Sequence, residues 1–571
     1  MILENINKQI REALEKLGID QTDFVVETTK DLGNGDYASN VALVLARGNK
    51  IPAVEPLGKS AKEIAEKIRE ALPLDASGYI ERVEVAGPGF LNFFVSDSYL
   101  LEVQKEILDE KSKFGFGHAR DGQKVMVEYT DPNIMKPFHV GHLMSNTIGE
   151  SFARLYEASG ATVARANYFS DVGLAIAKAV WGMREMRMTM PSEVAPIVER
   201  TDFLGKAYAF GVKQADESPE LLRDIKEINK QIYNKSEGEV LLLYQIGRRW
   251  SMEHFEILYR KLGTIFDYLI PESEVVESGM DACRRALAEK LFVESDGAIV
   301  FKAEAYGLHT RVFITKEGLP TYEAKDLGLC VRKNALFPYD LSVSVTAYEQ
   351  DEYFRVVFKA ADLLYPNLAG KLKHVSHGML RLSSGKMSSR TGNVITGESL
   401  IADVERKVAE KNPDSSVTSA VAIGAIKYEI LKQAPGRDII FDMEKSLSLE
   451  GDSGPYLQYA YARAKSVIAR AEFKIQNSKV KITGQNEKLL MRVIARWPDI
   501  LASAVKDLAP QQICTYLIQL AGEFNSYYAS NQIIDENDRQ TTKMRLLLTA
   551  TIAQVVENGL WVLGISAPQR M

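Results

Sequence analysis

A buried strand that leads through a short turn into a helix constrains the fold of this chain most strongly. Residues 124–129 form a short apolar run, and residues 143–159 carry apolar side chains at helical spacing. The turn between them contains two histidines, His139 and His142. Free N–H groups and the helix dipole at such a turn bind phosphates, and strand–turn–helix units of this kind build parallel sheets. The segment therefore predicts an α/β fold with an anion site near residue 140.

The residue types in the turn suit a nucleotide. His139 and His142 are three residues apart and share a helix face, so both can reach one anion. Gly141 has no side chain, and a flat group such as adenine can lie against its backbone. Taken alone, a His-x-x-His pair is as typical of a surface pair or a metal site as it is of a nucleotide site.

A second segment far downstream favours the nucleotide interpretation. It places cations among small polar residues, and its members are Lys386, Met387, Ser388, Ser389 and Arg390. Together the two segments predict a site that holds ATP and neutralises charge at the α-phosphate. The chain has neither a Gly-x-Gly-x-x-Gly sequence nor a Walker phosphate loop, so dinucleotide and P-loop interpretations lose their main support.

The two segments resemble the signature motifs of class I aminoacyl-tRNA synthetases, normally His-Ile-Gly-His and Lys-Met-Ser-Lys-Ser. Further motifs resemble arginyl-tRNA synthetases in family order over essentially the whole chain. They lie at residues 87–93, 127–136, 266–273, 320–326, 348–350, 450–463 and 563–571. The resemblance implies that ATP contacts His139, Gly141, His142, Lys386, Met387, Ser388 and Ser389.

The expected amino-acid pocket suits arginine. A guanidinium is planar, permanently charged and carries five donors, so it needs carboxylates and neutral acceptors. Tyr322 and Asp326 are four residues apart and face one spot on a helix. In the family the matching pair holds the guanidinium, and Glu272 matches a second carboxylate that contacts it. Alternatively, Glu272 could have the purely structural role of capping a turn.

The remaining substrate contacts follow from the resemblance alone. Asn133 and Gln350 match residues at the α-amino end of arginine, and His139 matches a group near its carboxylate. Glu128 is more typical of a buried support than of a ligand.

The resemblance also implies a mechanism. The arginine carboxylate attacks the α-phosphorus of ATP, pyrophosphate leaves, and the terminal adenosine of tRNA(Arg) then takes the arginyl group. Positioning and charge neutralisation suffice for such chemistry, so histidines, lysines and the Mg²⁺ that accompanies ATP are expected, without protein-bound zinc. Arginyl enzymes generally need tRNA before they activate arginine.

Departures from the family pattern raise one question. Ser389 stands where the second motif normally has its second lysine, and Lys136 is the candidate replacement, with a solvated surface charge as the alternative. Catalytic roles are therefore expected for Lys136, His139, His142 and Lys386. Ala324 and Lys325 replace the common Thr-Arg before Asp326.

Patterning predicts a multidomain α/β protein. We expect an N-terminal α+β domain over residues 1–110 and a Rossmann-like parallel-sheet catalytic domain over 111–390, with a mostly helical insertion at about 173–261. A helical connector over 391–450 that contacts the tRNA stem and an all-α bundle over 451–571 complete the chain. Strands of the catalytic domain are expected at residues 124–129, 162–168, 298–301, 311–315, 341–346 and 371–376.

The flanking domains are expected to bind tRNA. By resemblance, Phe90 and Asn92 in the N-terminal domain contact the tRNA elbow, and the C-terminal bundle reads the anticodon with Tyr456 and Gln458. A dimerisation bundle is the alternative for the C-terminal helices.

Composition limits the partners. The net charge is -6, so any RNA site must be a local basic patch on an acidic body, and DNA is not expected as a partner. No apolar run approaches the ~20 residues that span a bilayer. The 3 cysteines are widely spaced and indicate a reducing cytoplasm. Family members are mostly monomers, so a monomer is expected.

Three rival interpretations remain. A cysteinyl-tRNA synthetase shares the C-terminal helical type, but the cysteine spacing offers no Cys/His zinc site. A non-catalytic tRNA-binding paralogue would be expected to lack the histidines or the Tyr322 and Asp326 pair. A nucleotidylyltransferase on the same sheet would be shorter and would not need two flanking RNA-type domains.

Overall fold

The computed structural model describes residues 2–19, 22–29, 31–47, 60–73, 78–383, 396–412, 414–471, 480–482 and 484–571. The chain divides into two compact units. The first consists of Met1–Gly117, Leu449–Trp561 and Ser566–Met571, and the second consists of His118–Ser448 and Val562–Ile565. In the part of the chain that the structure describes, no helix is both long and apolar enough to cross a membrane.

The N-terminal part of the first unit is an α+β layer, as predicted. Its elements are α1 (Ile2–Lys16), β1 (Val26–Thr28), β2 (Tyr37–Ser39), α2 (Val41–Arg47), α3 (Ala61–Ala71), β3 (Ile80–Ala86), β4 (Phe90–Val95) and α4 (Asp97–Glu110). The strands form an antiparallel sheet in the order β1-β2-β4-β3. Periodicity in the sequence predicts α1, α3, β3 and β4 but not β1 and β2, which have three residues each, too few for an alternating pattern to be recognised.

The second unit contains the predicted sheet domain. Its strands are β5 (Lys124–Glu128), β6 (Thr162–Phe169), β7 (Tyr268–Pro271), β8 (Val293–Ser295), β9 (Ala298–Phe301), β10 (Arg311–Ile314), β11 (Leu341–Ala347), β12 (Leu372–His377), β13 (Leu380–Leu382) and β14 (Ile439–Phe441). Its helices are α5 (Val140–Ala158), α6 (Leu174–Glu185), α7 (Ile197–Glu217), α8 (Pro219–Tyr233), α9 (Glu239–Lys261), α10 (Val276–Ala288), α11 (Tyr322–Leu336), α12 (Asp351–Leu364), α13 (Gly397–Lys411), α14 (Ser415–Leu431) and α15 (Met443–Ser446).

A five-stranded parallel sheet forms the centre of this unit. The strand order is β12-β11-β5-β6-β7, and every neighbouring pair is parallel. Strand β5 lies in the middle and is buried after its first residue, which is typical of parallel strands covered on both faces. Glu128 at its end forms a buried ion pair with Lys333 of α11, with 2.6 Å between Oε2 and Nζ. Glu128 is thus a buried support, as predicted.

Two predicted strands were assigned to the wrong sheet. Residues 298–301 pair with residues 293–295 on one side and with residues 311–314 on the other, in a separate antiparallel sheet of order β10-β9-β8. Asp296 and Gly297 join β8 to β9 with positive φ angles of 50° and 78°, and an Asp-Gly pair between two strands is a strong hairpin signal. Alternation identifies a strand but not its partner. The fifth strand of the parallel sheet is instead β7, which has only four residues.

The connection between β6 and β7 is a set of four helices, α6 to α9. It lies between two strands that are neighbours in the sheet. The helices pack on one another, α6 against α7 and α8 most extensively. Three of these helices carry tyrosines: Tyr208 lies on α7, Tyr233 on α8 and Tyr244 on α9.

One strand interrupts the region that was predicted to be helical throughout. After residue 396 the chain forms α13 and α14, but residues 439–441 then pair in parallel with β13, Leu380 opposite Ile439. A three-residue strand carries too short a pattern to distinguish it from a helix start.

The C-terminal bundle belongs to the first unit and is all helical, as predicted. Its helices are α16 (Gly454–Arg470), α17 (Gln485–Ala495), α18 (Trp497–Asp507), α19 (Pro510–Ser530) and α20 (Arg539–Val562). Apolar side chains at helical spacing predict one helix over residues 487–506, but the structure divides this stretch into α17 and α18. Pro498 stands in the first turn of α18, where the missing N–H of proline costs nothing but where it could not continue the preceding helix.

Candidate active site

The carboxyl ends of the parallel strands meet at one edge of the sheet and bring together side chains from distant parts of the sequence. Asn133 follows β5, Glu272 follows β7 directly, Gln350 follows β11, and His377 ends β12. Ligands of open α/β sheets bind at this edge. The structure therefore places Asn133, Glu272, Gln350 and His377 along one edge of the sheet.

The turn after β5 is strained and firmly held. Thr130, Asp131 and Met135 have positive φ angles of 84°, 46° and 58°, which cost of the order of 1–3 kcal/mol each. The backbone N–H of Thr130 donates to Ser145 Oγ at 3.0 Å, and that of Met135 donates to Ser251 Oγ at 2.8 Å. Buried side chains thus hold the turn that presents Asn133 and leads to the histidines.

Further contacts hold the same turn from the neighbouring strand. Asp131 Oδ1 accepts from the backbone N–H of Tyr168 at 2.8 Å. Asn133 forms a parallel bridge with Ser170, and Ile134 N–H donates to Ser170 O at 3.0 Å. The loops that follow β5 and β6 are therefore joined at the substrate edge.

The two histidines open helix α5. His139 precedes its first residue, and the backbone N–H of His139 donates to Nδ1 of His142 at 3.2 Å. Because Nδ1 accepts, a neutral His142 carries its proton on Nε2. The rings stack with their centroids 3.4 Å apart. A Cβ on Gly141 would lie 3.0 Å from His139 Nδ1, so glycine leaves room for this stack.

Both imidazoles are neutral at pH 7. Burial, together with the charge of Lys136, lowers the pKa of His139 to about 4. Burial and the neighbouring His139 hold the pKa of His142 well below its ordinary value. His377, whose pKa burial also lowers, is close enough to affect both. The site therefore offers uncharged N–H donors beside the free N–H groups of a helix N-terminus.

The second motif lies outside the described residues. This applies to the predicted contacts Lys386, Met387, Ser388 and Ser389, and to Arg390. The described chain resumes at Thr396, which forms an antiparallel bridge with His139. The N–H of Gly397 donates to Phe138 O at 2.7 Å, so the chain that follows the second motif is attached to the first.

Lys136 lies between the histidine turn and the inserted helices. Its Nζ is 5.0 Å from the ring centroid of Tyr208 on α7. Burial, and then the charge of Lys178, lowers the pKa of Lys136. A lysine that is half-buried and stacked on an aromatic ring is not a freely solvated surface charge.

A lysine lies against two of the residues that the sequence predicts for the guanidinium pocket. Glu272 is 1% exposed, and its Oε2 accepts from the hydroxyl of Ser170. Its Oε1 forms an ion pair with Nζ of Lys325. The same Nζ lies 4.3 Å from the ring centroid of Tyr322. Lys325 therefore lies against two of the three groups expected to hold a guanidinium.

Asp326 is the third group. Its Oδ2 accepts from the hydroxyl of Tyr353 at 2.6 Å. Burial raises the pKa of Asp326 to about 7 in the empty site. Tyr322, by contrast, has a relative exposure of 60%, and Gln350 is exposed at the start of α12.

The sequence did not identify several polar residues of this edge. They are Ser170, Asp171, Lys325 and His377. Ser170 and Asp171 follow β6 directly, and Asp171 accepts from the N–H of Ser273 at 2.8 Å and from Tyr244 Oη at 3.1 Å. The signal was available, because polar residues directly after predicted parallel strands point to this edge.

The predicted RNA contacts differ in exposure. Phe90 and Tyr456 are half-buried. Asn92 has a relative exposure of 5%, and Gln458 has 0%. Gln458 Nε2 donates to Ser566 O at 2.8 Å, so this amide holds the C-terminal segment.

Three family descriptions match consecutive parts of the chain. Residues 4–95 match "Arginyl tRNA synthetase N terminal domain". Residues 102–443 match "tRNA synthetases class I (R), catalytic domain". Residues 457–571 match "DALR anticodon binding domain".

Curated relatives match over nearly the whole length. An arginine–tRNA ligase of Clostridium botulinum (strain Alaska E43) is 31% identical and covers 97% of this chain and 97% of its own. An arginine–tRNA ligase of Clostridium acetobutylicum is 31% identical and covers 100% of this chain and 99% of its own.

Solved structures share the fold. Arginyl-tRNA synthetase of Thermus thermophilus superposes with a TM-score of 0.80 at 24% identity, covering 100% of both chains. The enzyme of Plasmodium falciparum superposes with a TM-score of 0.81 at 20% identity, covering 100% of this chain and 99% of that one.

Proposed function

We propose how this chain, which belongs to the arginyl-tRNA synthetase family of class I and attaches arginine to tRNA, divides that reaction among its residues. The arginine carboxylate attacks the α-phosphorus of ATP, and pyrophosphate leaves. The terminal ribose hydroxyl of tRNA(Arg) then attacks the acyl carbon, and AMP leaves. The curated relatives exclude the cysteinyl interpretation at the level of the family.

The observation that carries the proposal is a pair of carboxylates at the substrate edge, the buried Glu272 and the partly buried Asp326. Burial of two acids is costly unless cations or donors compensate them. A guanidinium supplies a permanent charge and five donors in one plane. We assign Glu272, Tyr322 and Asp326 to the guanidinium.

The other end of arginine faces the histidine turn. Asn133 and Gln350 hold the α-amino group, and His139 lies near the carboxylate. The support for this assignment is the bridge between Asn133 and Ser170, whose hydroxyl also donates to Glu272. One short loop thus connects both ends of the proposed substrate site.

ATP occupies the N-terminus of α5. We assign the contacts with ATP to His139, Gly141 and His142 in this turn and to Lys386, Met387, Ser388 and Ser389 of the second motif. Free N–H groups of the helix and neutral imidazole donors suit phosphate oxygens. Mg²⁺ arrives with the phosphates of ATP, since it keeps several waters and needs no cage of protein ligands.

Lys136 and Lys386 neutralise the charge that develops between the α- and β-phosphates. The support for Lys136 is its position, half-buried and close enough to lower the pKa of His139. Losing one preorganised group of this kind costs roughly 10²–10³ in rate.

The flanking parts of the chain bind tRNA. We propose that residues 1–110 contact the elbow at Phe90, that residues 391–450 contact the stem and that residues 451–571 read the anticodon near Tyr456. Asn92 and Gln458 are buried and act by shaping these surfaces. The matches to an arginyl-tRNA synthetase N-terminal domain and a DALR anticodon-binding domain support this division. A cytoplasmic monomer is the form we propose.

Pyrophosphate exchange tests the proposal. Exchange between ATP and labelled pyrophosphate should depend on arginine and should require added tRNA. Cysteine serves as the negative control. Exchange with cysteine would contradict the amino-acid assignment, and full exchange with arginine in the absence of RNA would contradict the tRNA requirement.

A further inference from the structure

Lys325 occupies an unusual position for a lysine in the first turn of a helix. Its side chain is 5% exposed, although a lysine with a free path to solvent normally extends its ammonium into water. It lies between Tyr322 and Asp326 in sequence and turns inward to Glu272. A buried ammonium needs a partner, because desolvation of an unpaired charge is costly.

Each carboxylate oxygen of Glu272 has a partner within the protein. One oxygen accepts from Ser170, and the other pairs with Lys325. A guanidinium binds a carboxylate best through two parallel N–H···O bonds. Each carboxylate oxygen can accept a further donor, but a guanidinium that used Oε1 would bring its charge beside the Lys325 ammonium, and the two like charges would repel each other.

The charge balance of the pocket points the same way. Glu272 and Asp326 supply two acidic groups, and Lys325 supplies one cation. Burial lowers the pKa of Lys325 to about 8, while Asp326 and Asp171 oppose that shift. Lys325 is therefore charged at pH 7 and neutralises one of the two acids before any substrate enters.

We infer that Lys325 is a specificity-determining residue that competes with the guanidinium of arginine for Glu272. Its ammonium occupies Glu272 in the empty site, and arginine displaces it. Lys325 thereby protects the buried carboxylate when no substrate is bound and lowers the affinity for arginine. The inference rests on the proposed function, which assigns Glu272 to the guanidinium pocket.

Steady-state aminoacylation with tRNA tests the inference. Lys325→Met keeps the length of the side chain and removes its charge, so the arginine KM should fall about tenfold, since a charge-assisted hydrogen bond no longer has to be broken. The KM for ATP should stay the same. Lys359→Met is the matched control, because Lys359 also lies over a tyrosine ring, 4.6 Å from the Tyr306 centroid, on the surface helix α12.

A double-mutant cycle separates the inference from its premise. Glu272→Gln should raise the arginine KM, and adding Lys325→Met to it should bring no further decrease. An arginine KM that falls in Lys325→Met only when Glu272 is present supports the competition. An unchanged or higher KM in Lys325→Met, with Glu272→Gln impaired, overturns the competition but leaves the pocket. An unaffected Glu272→Gln removes the pocket assignment itself.

A second variant decides the case in which Lys325→Met does not fold. Lys325→Arg keeps the charge and can grip Glu272 with a two-bond fork. The arginine KM should then rise above that of the wild type. An equal or lower KM in a folded Lys325→Arg protein overturns the inference.

Discussion

Asp326 is a partly buried carboxylate that we assign to the guanidinium of arginine. Its carboxylate is held by Tyr353, and burial raises its pKa to about 7 when the pocket is empty. A guanidinium binds only the ionised form well. Arginine recognition should therefore depend on pH in the neutral range.

The pH profile of arginine binding tests this role. Below pH 7 the empty-site Asp326 is protonated, so the arginine KM should rise about tenfold for each unit of pH and reach a plateau above pH 7. Asp326→Asn should abolish this dependence and cost about 2–5 kcal/mol of arginine binding at pH 8. Tyr322→Phe is the milder comparison at about 1 kcal/mol, because Tyr322 is largely exposed. A flat wild-type profile would contradict the assignment.

Lys136 is the second residue whose role can be measured directly. We expect Lys136→Ala to lower single-turnover adenylate formation by roughly 10²–10³, with tRNA affinity nearly unchanged. Lys178→Ala is the control, since Lys178 is a neighbouring lysine that pairs with Asp216 at 3.6 Å. Ser389→Lys should partly rescue Lys136→Ala and do little in the wild type. An unaltered rate in Lys136→Ala would return the role to Lys386 or Arg390.

At the scale of elements, the first turn of helix α5 contains a residue, His142, that caps the helix and also belongs to the proposed ATP site. His142 accepts the backbone N–H of His139, as a Gln or Glu does at the third position of a capping box. In the proposed ATP site, the Nε2–H of the same ring is left to donate to a phosphate oxygen. Stability and activity can therefore be separated by substitution at this position.

His142→Gln and His142→Leu separate the two roles. Gln can still accept the N–H of His139, whereas Leu cannot, so Leu should lose about 1 kcal/mol of unfolding free energy relative to Gln. Both variants should lose adenylate formation. Urea unfolding at pH 7 measures the first effect, and equal stability of the two variants would contradict the cap.

The same histidine makes stability depend on pH with a defined sign. The folded pKa lies below the unfolded value of ~6.5, so the unfolded chain binds more protons as pH falls from 6.5, and stability is lost in that direction. His142→Gln should reduce the slope of unfolding free energy between pH 7 and pH 5. Part of the pH dependence of the unfolding free energy should remain in His142→Gln, because burial also lowers the pKa values of His139 and His377.

At the scale of the whole molecule, the two compact units are built differently. In the first, the N-terminal layer and the C-terminal bundle share a core: Arg492 Nε lies 2.6 Å from Asp36 Oδ1, and Tyr37 Oη donates to Asp499 Oδ2 at 2.7 Å. Removing the bundle would expose these buried groups. Point substitutions at Phe90 or Tyr456 are therefore better probes of RNA binding than a deletion.

The three buried cysteines allow the unfolding of both units to be followed by thiol labelling. Burial raises the pKa values of Cys283 and Cys330 to about 12, so few thiolates form at neutral pH and their thiols should react with Ellman's reagent far more slowly than free cysteine. Cys514 is buried in α19 of the first unit. Labelling followed along a urea gradient, with Cys514→Ser to assign the signals, shows whether the units unfold together. Rapid reaction in the native state would contradict the burial.

Local patterns are sufficient for much of this protein. The run at 124–129 and the helix after it require a strand–turn–helix unit, and that unit alone predicts where His139, Gly141 and His142 lie. The spacing of Tyr322 and Asp326 places both at the start of α11. These predictions succeeded because each depends on a few neighbouring residues and on helix or strand periodicity.

Contacts between residues distant in the sequence determine the features that local patterns do not predict. Periodicity identifies residues 298–301 and 311–314 as strands, but only the packed chain pairs them with each other, and 298–301 with β8, rather than with β5 or β11. The ion pair between Glu272 and Lys325 joins residues on separate elements, and no local spacing predicts it. Asn92 and Gln458 are buried by elements distant in sequence. Burial and charge pairing depend on the whole fold, because they are set by what surrounds a side chain rather than by its neighbours in the chain.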